Sequence, residues 1–184
     1  MKRRKFLQNT FATTAVLPTV AQANPPKKGF KVAMNEHRQK VPINYGDVPV
    51  DFKLLGADTA DRLSVFISTN NRKGHGGTPP LHVHYTFDEF FCILSGSFVF
   101  LIDSERIPAN IGDCIYIPRG VKHTFTCTSE QPSSLLVGIT PSKDMENYFI
   151  EMANALTPKG PNMAAMNAAY KKYNSEILGP PIEG

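Results

Sequence analysis

Between about Val48 and Ile139 the chain is built from short apolar runs set apart by clusters of Gly, Pro, Asn and Asp. The runs are Leu63 to Ser68, Leu81 to His84, Phe90 to Leu94, Phe98 to Ile102, Cys114 to Ile117, Val121 to Thr126 and Leu135 to Ile139. Many short strands at this spacing predict an all-β sandwich or closed barrel. Ser95-Gly96-Ser97 predicts a hairpin between its flanking runs, and Pro118-Arg119-Gly120 a turn. A length of 184 residues suits one domain with a full core.

After the last run the period changes. Thr140-Pro141 suits a helix cap and first turn, and Met145, Phe149, Met152 and Leu156 follow at helical spacing. Pro158 to Pro161 breaks that helix. Met163, Met166, Tyr170 and Tyr173 mark a second one, which Gly179-Pro180-Pro181 ends. The expected organisation is a leader at 1–23, an N-terminal extension at 24–47, a barrel at 48–140 and a helical segment at 141–184.

The leader has three parts in the order of an export signal. Lys2-Arg3-Arg4-Lys5 is basic, Phe6 to Val20 is modestly apolar, and Ala21-Gln22-Ala23 is a small-residue cleavage site. Arg3-Arg4-Lys5-Phe6-Leu7-Gln8 resembles the twin-arginine signal of bacteria, which predicts a periplasmic protein. The apolar stretch is short and holds Pro18, so it is not read as a membrane anchor. These four residues also account for the basic balance of the whole chain. Without them 16 basic residues face 16 acidic ones, which removes the bulk electrostatic reason to expect a nucleic-acid partner. Three cysteines, Cys92, Cys114 and Cys127, leave at least one thiol unpaired within the chain. Their spacing suggests neither a zinc ribbon nor a redox pair, and at least two are expected as small buried apolar residues.

His82 and His84 carry the chemistry. Two apart on a strand, they share a face at about 7 Å along the chain and can converge on one ion. Glu89 stands at an odd offset from them, so Tyr85-Thr86-Phe87-Asp88 must bend the chain for the carboxylate to return to the same point. His123 would arrive from a distant strand. Three imidazoles and a carboxylate suit one divalent transition metal, Fe, Mn, Ni, Co, Cu or Zn, rather than Ca or Mg, and leave positions free for water or substrate. Along the same strands, Phe91 and Ile93, and Val121, Phe125 and Cys127, would point inward and line an apolar pocket or fill the barrel. His75, among glycines, and His37 are read as solvated.

The frame around these residues resembles the two cupin motifs, G-x5-HxH-x4-E-x6-G and G-x5-PxG-x2-H-x3-N. Gly76, His82, His84, Glu89 and Gly96 match the first. Gly112, Pro118, Gly120 and His123 match the second, in which Cys127 replaces the final Asn. The resemblance implies a jelly-roll β-barrel with C-terminal helices and a metal held by His82, His84, Glu89 and His123. More loosely, Leu81 to His84, Asp88 to Phe91, Pro118 to His123 and the terminal Ile177-Leu178-Gly179-Pro180-Pro181 are similar to quercetin dioxygenase-like cupins. That branch implies a dioxygenase acting on a small aromatic, enediol or flavonol-type substrate, with Glu89 as ligand and catalytic base. A non-redox isomerase, lyase or hydrolase and a non-catalytic ligand-binding cupin are the alternatives. By analogy with other cupins, the Met- and Phe-bearing helices offer apolar surface for a homodimer.

Overall fold

Strand alternation is visible in burial along the central strand, where Glu89, Phe91 and Ile93 are buried while their neighbours are not. The computed structural model describes residues 25–184 except 27, 75 and 76. The leader, His75 and Gly76 of the first motif therefore lie outside the described residues. In chain order the strands are β1 (Asn44–Tyr45), β2 (Val48–Leu54), β3 (Ser64–Asn71), β4 (Leu81–His84), β5 (Asp88–Ser95), β6 (Ser97–Ile102), β7 (Glu105–Asn110), β8 (Cys114–Ile117), β9 (His123–Cys127), β10 (Ser133–Thr140), β11 (Leu156–Thr157), β12 (Gly160–Pro161) and β13 (Ser175–Gly179). The helices are α1 (Gly56–Thr59), α2 (Met145–Ala155) and α3 (Met163–Lys172). None is long and apolar enough to cross a membrane.

The strands form two main antiparallel sheets, β1-β2-β3-β10-β5-β8 and β13-β4-β9-β6-β7, with β11-β12 as a small hairpin. Phe52, Phe98, Phe100, Leu135 and Ile139 are fully buried in the core. This is a jelly roll with small C-terminal helices: the strand runs predict the all-β barrel or sandwich, and the resemblance to the cupin motifs implies the jelly roll.

Ser95-Gly96-Ser97 does not make the predicted hairpin. β5 pairs with β10 and β8, whereas β6 pairs with β7 and β9, so the chain changes sheet at Gly96. Gly96 has φ +75°, and a Cβ there would fall 1.9 Å from Ser133 Oγ, so only glycine fits the crossover. A sheet change and a chain reversal need the same local turn chemistry, and the distant partners β9 and β10 decide between them. The hairpin that β6 does form is with β7, closed at Asp103, whose φ of 53° is left-handed. β7 escaped the sequence reading because it carries Pro108 and is largely exposed, as an edge strand tolerates.

Both C-terminal helices form, but α2 starts at Met145 rather than at Pro141, which follows a cis peptide bond. Met145, Phe149 and Met152 bury their side chains, while Leu156 has passed into β11. The last run is not helical. α3 ends at Lys172, Asn174 turns with φ 52°, and β13 pairs antiparallel with β4. The stretch read as helical thus supplies a barrel strand beside the two histidines. Its residues alternate in exposure, with Glu176 and Leu178 outward, but Ser-Glu-Ile-Leu-Gly does not alternate in polarity, so the sequence carried no period-two signal for it.

Candidate metal centre

The bend at Tyr85-Thr86-Phe87 separates β4 from β5, as the odd offset of Glu89 requires. β4 pairs with β9 so that His82 stands opposite His123, and β5 brings Glu89 in from the other sheet. The four side chains are buried, and one ligand atom of each lies within 4.8 Å of the others. The ring centroids of His82 are 4.6 Å from His84 and 4.3 Å from His123. Glu89 Oε2 lies 2.9 Å from His123 Nε2 and 3.5 Å from His84 Nε2.

Each imidazole is anchored from behind through Nδ1. His82 Nδ1 donates to the Pro80 carbonyl at 2.7 Å, and His123 Nδ1 to the Val121 carbonyl at 3.0 Å. His84 Nδ1 donates to Ser175 Oγ at 2.7 Å, and that hydroxyl donates onward to the Tyr173 carbonyl at 3.2 Å. With the proton on Nδ1, every Nε2 presents a lone pair to the centre, the tautomer a metal-ligating histidine needs. Burial first, and the neighbouring imidazoles next, push the pKa of His82 and of His84 well below the usual histidine range, which keeps both rings neutral.

This arrangement is incomplete by itself. His123 Nε2 and Glu89 Oε2 approach to 2.9 Å as two acceptors, so a cation or a proton must sit between them. The donor set therefore fits a divalent transition metal, with three neutral nitrogens and one carboxylate oxygen.

A cavity opens over the cluster, with about 820 Å³ of empty space, open solvent included. Its wall combines Phe66, Phe91, Phe125 and Phe149 with the tyrosines Tyr45, Tyr148 and Tyr170. Phe91 and Phe125 are thus where strand alternation puts them. Ile93 is buried in the core and Val121 packs at its edge. Cys127 is buried, and its thiol donates to the Ser97 carbonyl at 3.6 Å, away from the four ligands. The tyrosines were not anticipated as site residues. They come from β1, α2 and α3, outside both motifs, and only the helical spacing of Tyr170 hinted at an inward face. Tyr170 stacks parallel to His84 at 6.3 Å and lies edge-on to His82 at 5.4 Å. Tyr148 lies edge-on to Tyr170, with ring centroids 5.8 Å apart. Burial raises the pKa of all three phenols, so they remain protonated donors.

The two motif blocks are also tied to each other. Arg119 in the 118–120 turn donates Nε to Asp88 Oδ1 at 2.8 Å and Nη2 to Asp88 Oδ2 at 3.0 Å, and its backbone N–H meets Oδ1 at 2.9 Å. These bonds bring the Asp88 pKa down to about 2. Asp88 immediately precedes Glu89, and the turn leads into His123.

Residues 73–139 match the family model described as "Cupin domain". A stretch of 75 residues is 34% identical to an uncharacterized protein of Methanocaldococcus jannaschii and covers 41% of this chain; it spans only 60% of that relative's length. Among solved structures, the fold is similar to KdgF from Halomonas sp., with a TM-score of 0.52 and 18% identity over 65% of this chain and 99% of that one. It also matches a cupin-superfamily sugar phosphate isomerase from Silicibacter pomeroyi, with a TM-score of 0.49 and 21% identity over 60% of this chain and 74% of that one. At these identities the likeness concerns the fold.

Proposed function

We propose that the chain is a member of the cupin superfamily and a metal-dependent enzyme of the dioxygenase type, acting on a neutral aromatic, enediol or flavonol-like molecule; the match of residues 73–139 to a cupin domain and the two antiparallel sheets support the first part. One observation carries this reading: the three-imidazole, one-carboxylate cluster opens into a cavity whose described lining contains no Lys, Arg or Asp. A phosphorylated sugar or a dicarboxylate could set one anionic group on the metal, but any further charge would lie against aromatic walls with no cationic side chain to meet it, at a cost of several kcal/mol. A flat, neutral molecule instead packs against Phe66, Phe91, Phe125 and Phe149 and presents its oxygens to the few polar groups.

A divalent transition metal held by His82, His84, Glu89 and His123 supplies Lewis-acid and redox chemistry when bound. The rest falls to the chain itself. The Nδ1 anchors fix the direction of all three imidazoles before any ligand arrives. Glu89 Oε2 takes the proton from a substrate hydroxyl brought to the cluster. Tyr170, packed edge-on against Tyr148 and parallel to His84, donates to a second substrate oxygen. The phenylalanines exclude water from the reacting face.

The test is metal analysis of the purified protein together with oxygen uptake on a panel of flavonols, catechols and enediols. A stoichiometric redox-active metal with oxygen consumption is expected. Stoichiometric zinc with no uptake across the panel would leave Lewis-acid chemistry or ligand capture in its place. Export is part of the proposal. Changing Arg3 and Arg4 together to Lys should hold the precursor in the cytoplasm, and normal periplasmic recovery of that variant would exclude the twin-arginine route.

A further inference from the structure

The cysteines are not arranged as their spacing suggests. Only Cys127 is buried; Cys92 is half-buried and Cys114 exposed. Cys92 on β5 and Cys114 on β8 are direct partners across the antiparallel ladder, and their sulfurs are 2.7 Å apart. That separation is closer than two sulfurs in simple contact, and somewhat longer than the about 2.05 Å bond. At the next position, Ile93 N–H donates to the Asp113 carbonyl and the Ile93 carbonyl accepts from Gly112 N–H. The ladder's hydrogen bonds lie there, which makes Cys92 and Cys114 a non-hydrogen-bonded pair. In such pairs the Cα atoms approach to about 4.5 Å, within the about 4.4–6.8 Å that a disulfide spans.

Position in the fold adds to the geometry. Three residues beyond Glu89, Cys92 points to the outer face of the sheet, opposite to the metal centre. Among the described residues β8 is the edge of its sheet and pairs only with β5. Ile117 of β8 lies opposite Glu89, and the chain then runs through the 118–120 turn to His123.

We propose that Cys92 and Cys114 are a cross-strand redox couple that closes to an intramolecular disulfide and clamps edge strand β8 to β5. The Cys114 thiolate, which is exposed, attacks one sulfur of a small disulfide oxidant and expels its other sulfur as a thiolate. Cys92 then loses its proton to solvent and attacks Cys114 Sγ, which breaks the mixed disulfide and expels the second thiolate. Two electrons and two protons pass from the protein to the oxidant, which leaves as two thiols. The hydrogen bond to Cys114, together with burial and the neighbouring sulfur's charge, pushes the Cys92 thiol up to about 11, which makes Cys92 the partner that holds the proton and Cys114 the first attacker.

The experiment treats the reduced, folded, metal-free protein with oxidised glutathione, blocks remaining thiols and maps the peptides by mass spectrometry. The expected result is a single linked peptide joining Cys92 to Cys114, with the loss of two hydrogens and Cys127 unmodified. The oxidised form should also melt at a higher temperature than the reduced form. That difference should vanish in Cys92→Ser, whose Cys114 should instead retain glutathione, and should persist in Cys127→Ser. Both cysteines remaining free for alkylation, both ending as mixed disulfides, or a disulfide between two chains would each overturn the proposal. Because these readouts concern thiols and melting alone, they stand apart from any result on turnover.

Discussion

At the scale of single residues, the centre rests on three different acceptors behind three similar rings. Two are backbone carbonyls of neighbouring residues, Pro80 and Val121, which no side-chain change removes. The third is Ser175, a side chain from the far end of the chain. Removing His82, His84 or His123 as Ala should abolish most metal binding, since two imidazoles and a carboxylate make a weak site. Unchanged metal stoichiometry in any of the three would remove that residue from the cage. Ser175→Ala keeps all four ligands but leaves the His84 Nδ1 proton and the Tyr173 carbonyl without this partner. It should weaken metal affinity about 10–100-fold and cost about 1–3 kcal/mol of stability; an unchanged dissociation constant in a competition titration would make the bond to His84 incidental. Glu89→Gln keeps a ligating oxygen but neither the charge nor the ability to accept a proton. It should retain part of the metal and lose turnover, and full turnover would reject Glu89 as the base.

Among the elements, the crossover at Gly96 and the Asp88–Arg119 clamp set where the two sheets meet around the cage. Gly96→Ala adds a methyl group where Ser133 Oγ and Cβ would lie at 1.9 and 2.5 Å, on a backbone with φ +75°. The left-handed backbone alone costs about 1–3 kcal/mol, and the steric overlap adds to it, so a loss of at least about 2 kcal/mol in urea unfolding is expected. Gly96→Ala combined with Ser133→Gly relieves the overlap but not the backbone term and should recover part of the loss. If it recovers none, the crowding at Ser133 is not what excludes a side chain there. The clamp is a bidentate pair on a partly exposed Asp and a more exposed Arg, so its worth in stability is modest, about 1 kcal/mol or less. Its larger effect is on position, because it joins the residue before Glu89 to the turn before His123.

The whole molecule carries these local choices into its response to acid. His82 and His84 have folded pKa values below the unfolded value of about 6.5. The unfolded chain therefore binds more protons below that pH, and stability falls as the pH drops through it. Asp88 is shifted the opposite way relative to its charge, down to about 2. Its contribution is complete above about 4 and disappears between about 4 and about 2. Melting of EDTA-treated protein should thus decline from near pH 6.5, with a further decline below about pH 4 that is reduced in Asp88→Asn. A flat melting temperature between pH 7 and 5 would contradict buried neutral imidazoles. The strand-rich fold and the shared face of His82 and His84, with a bend before Glu89, could be read from the sequence because each depends on spacing along one strand or on a turn, and such relations are local; His123 stands on a distant strand, and only the resemblance to the cupin motifs joined it to the set. The crossover at Gly96, the strand β13, the tyrosines over the metal centre and the Cys92–Cys114 pair could not. Each depends on which distant segments lie side by side, and burial in the folded core, rather than local conformational preference, makes that choice.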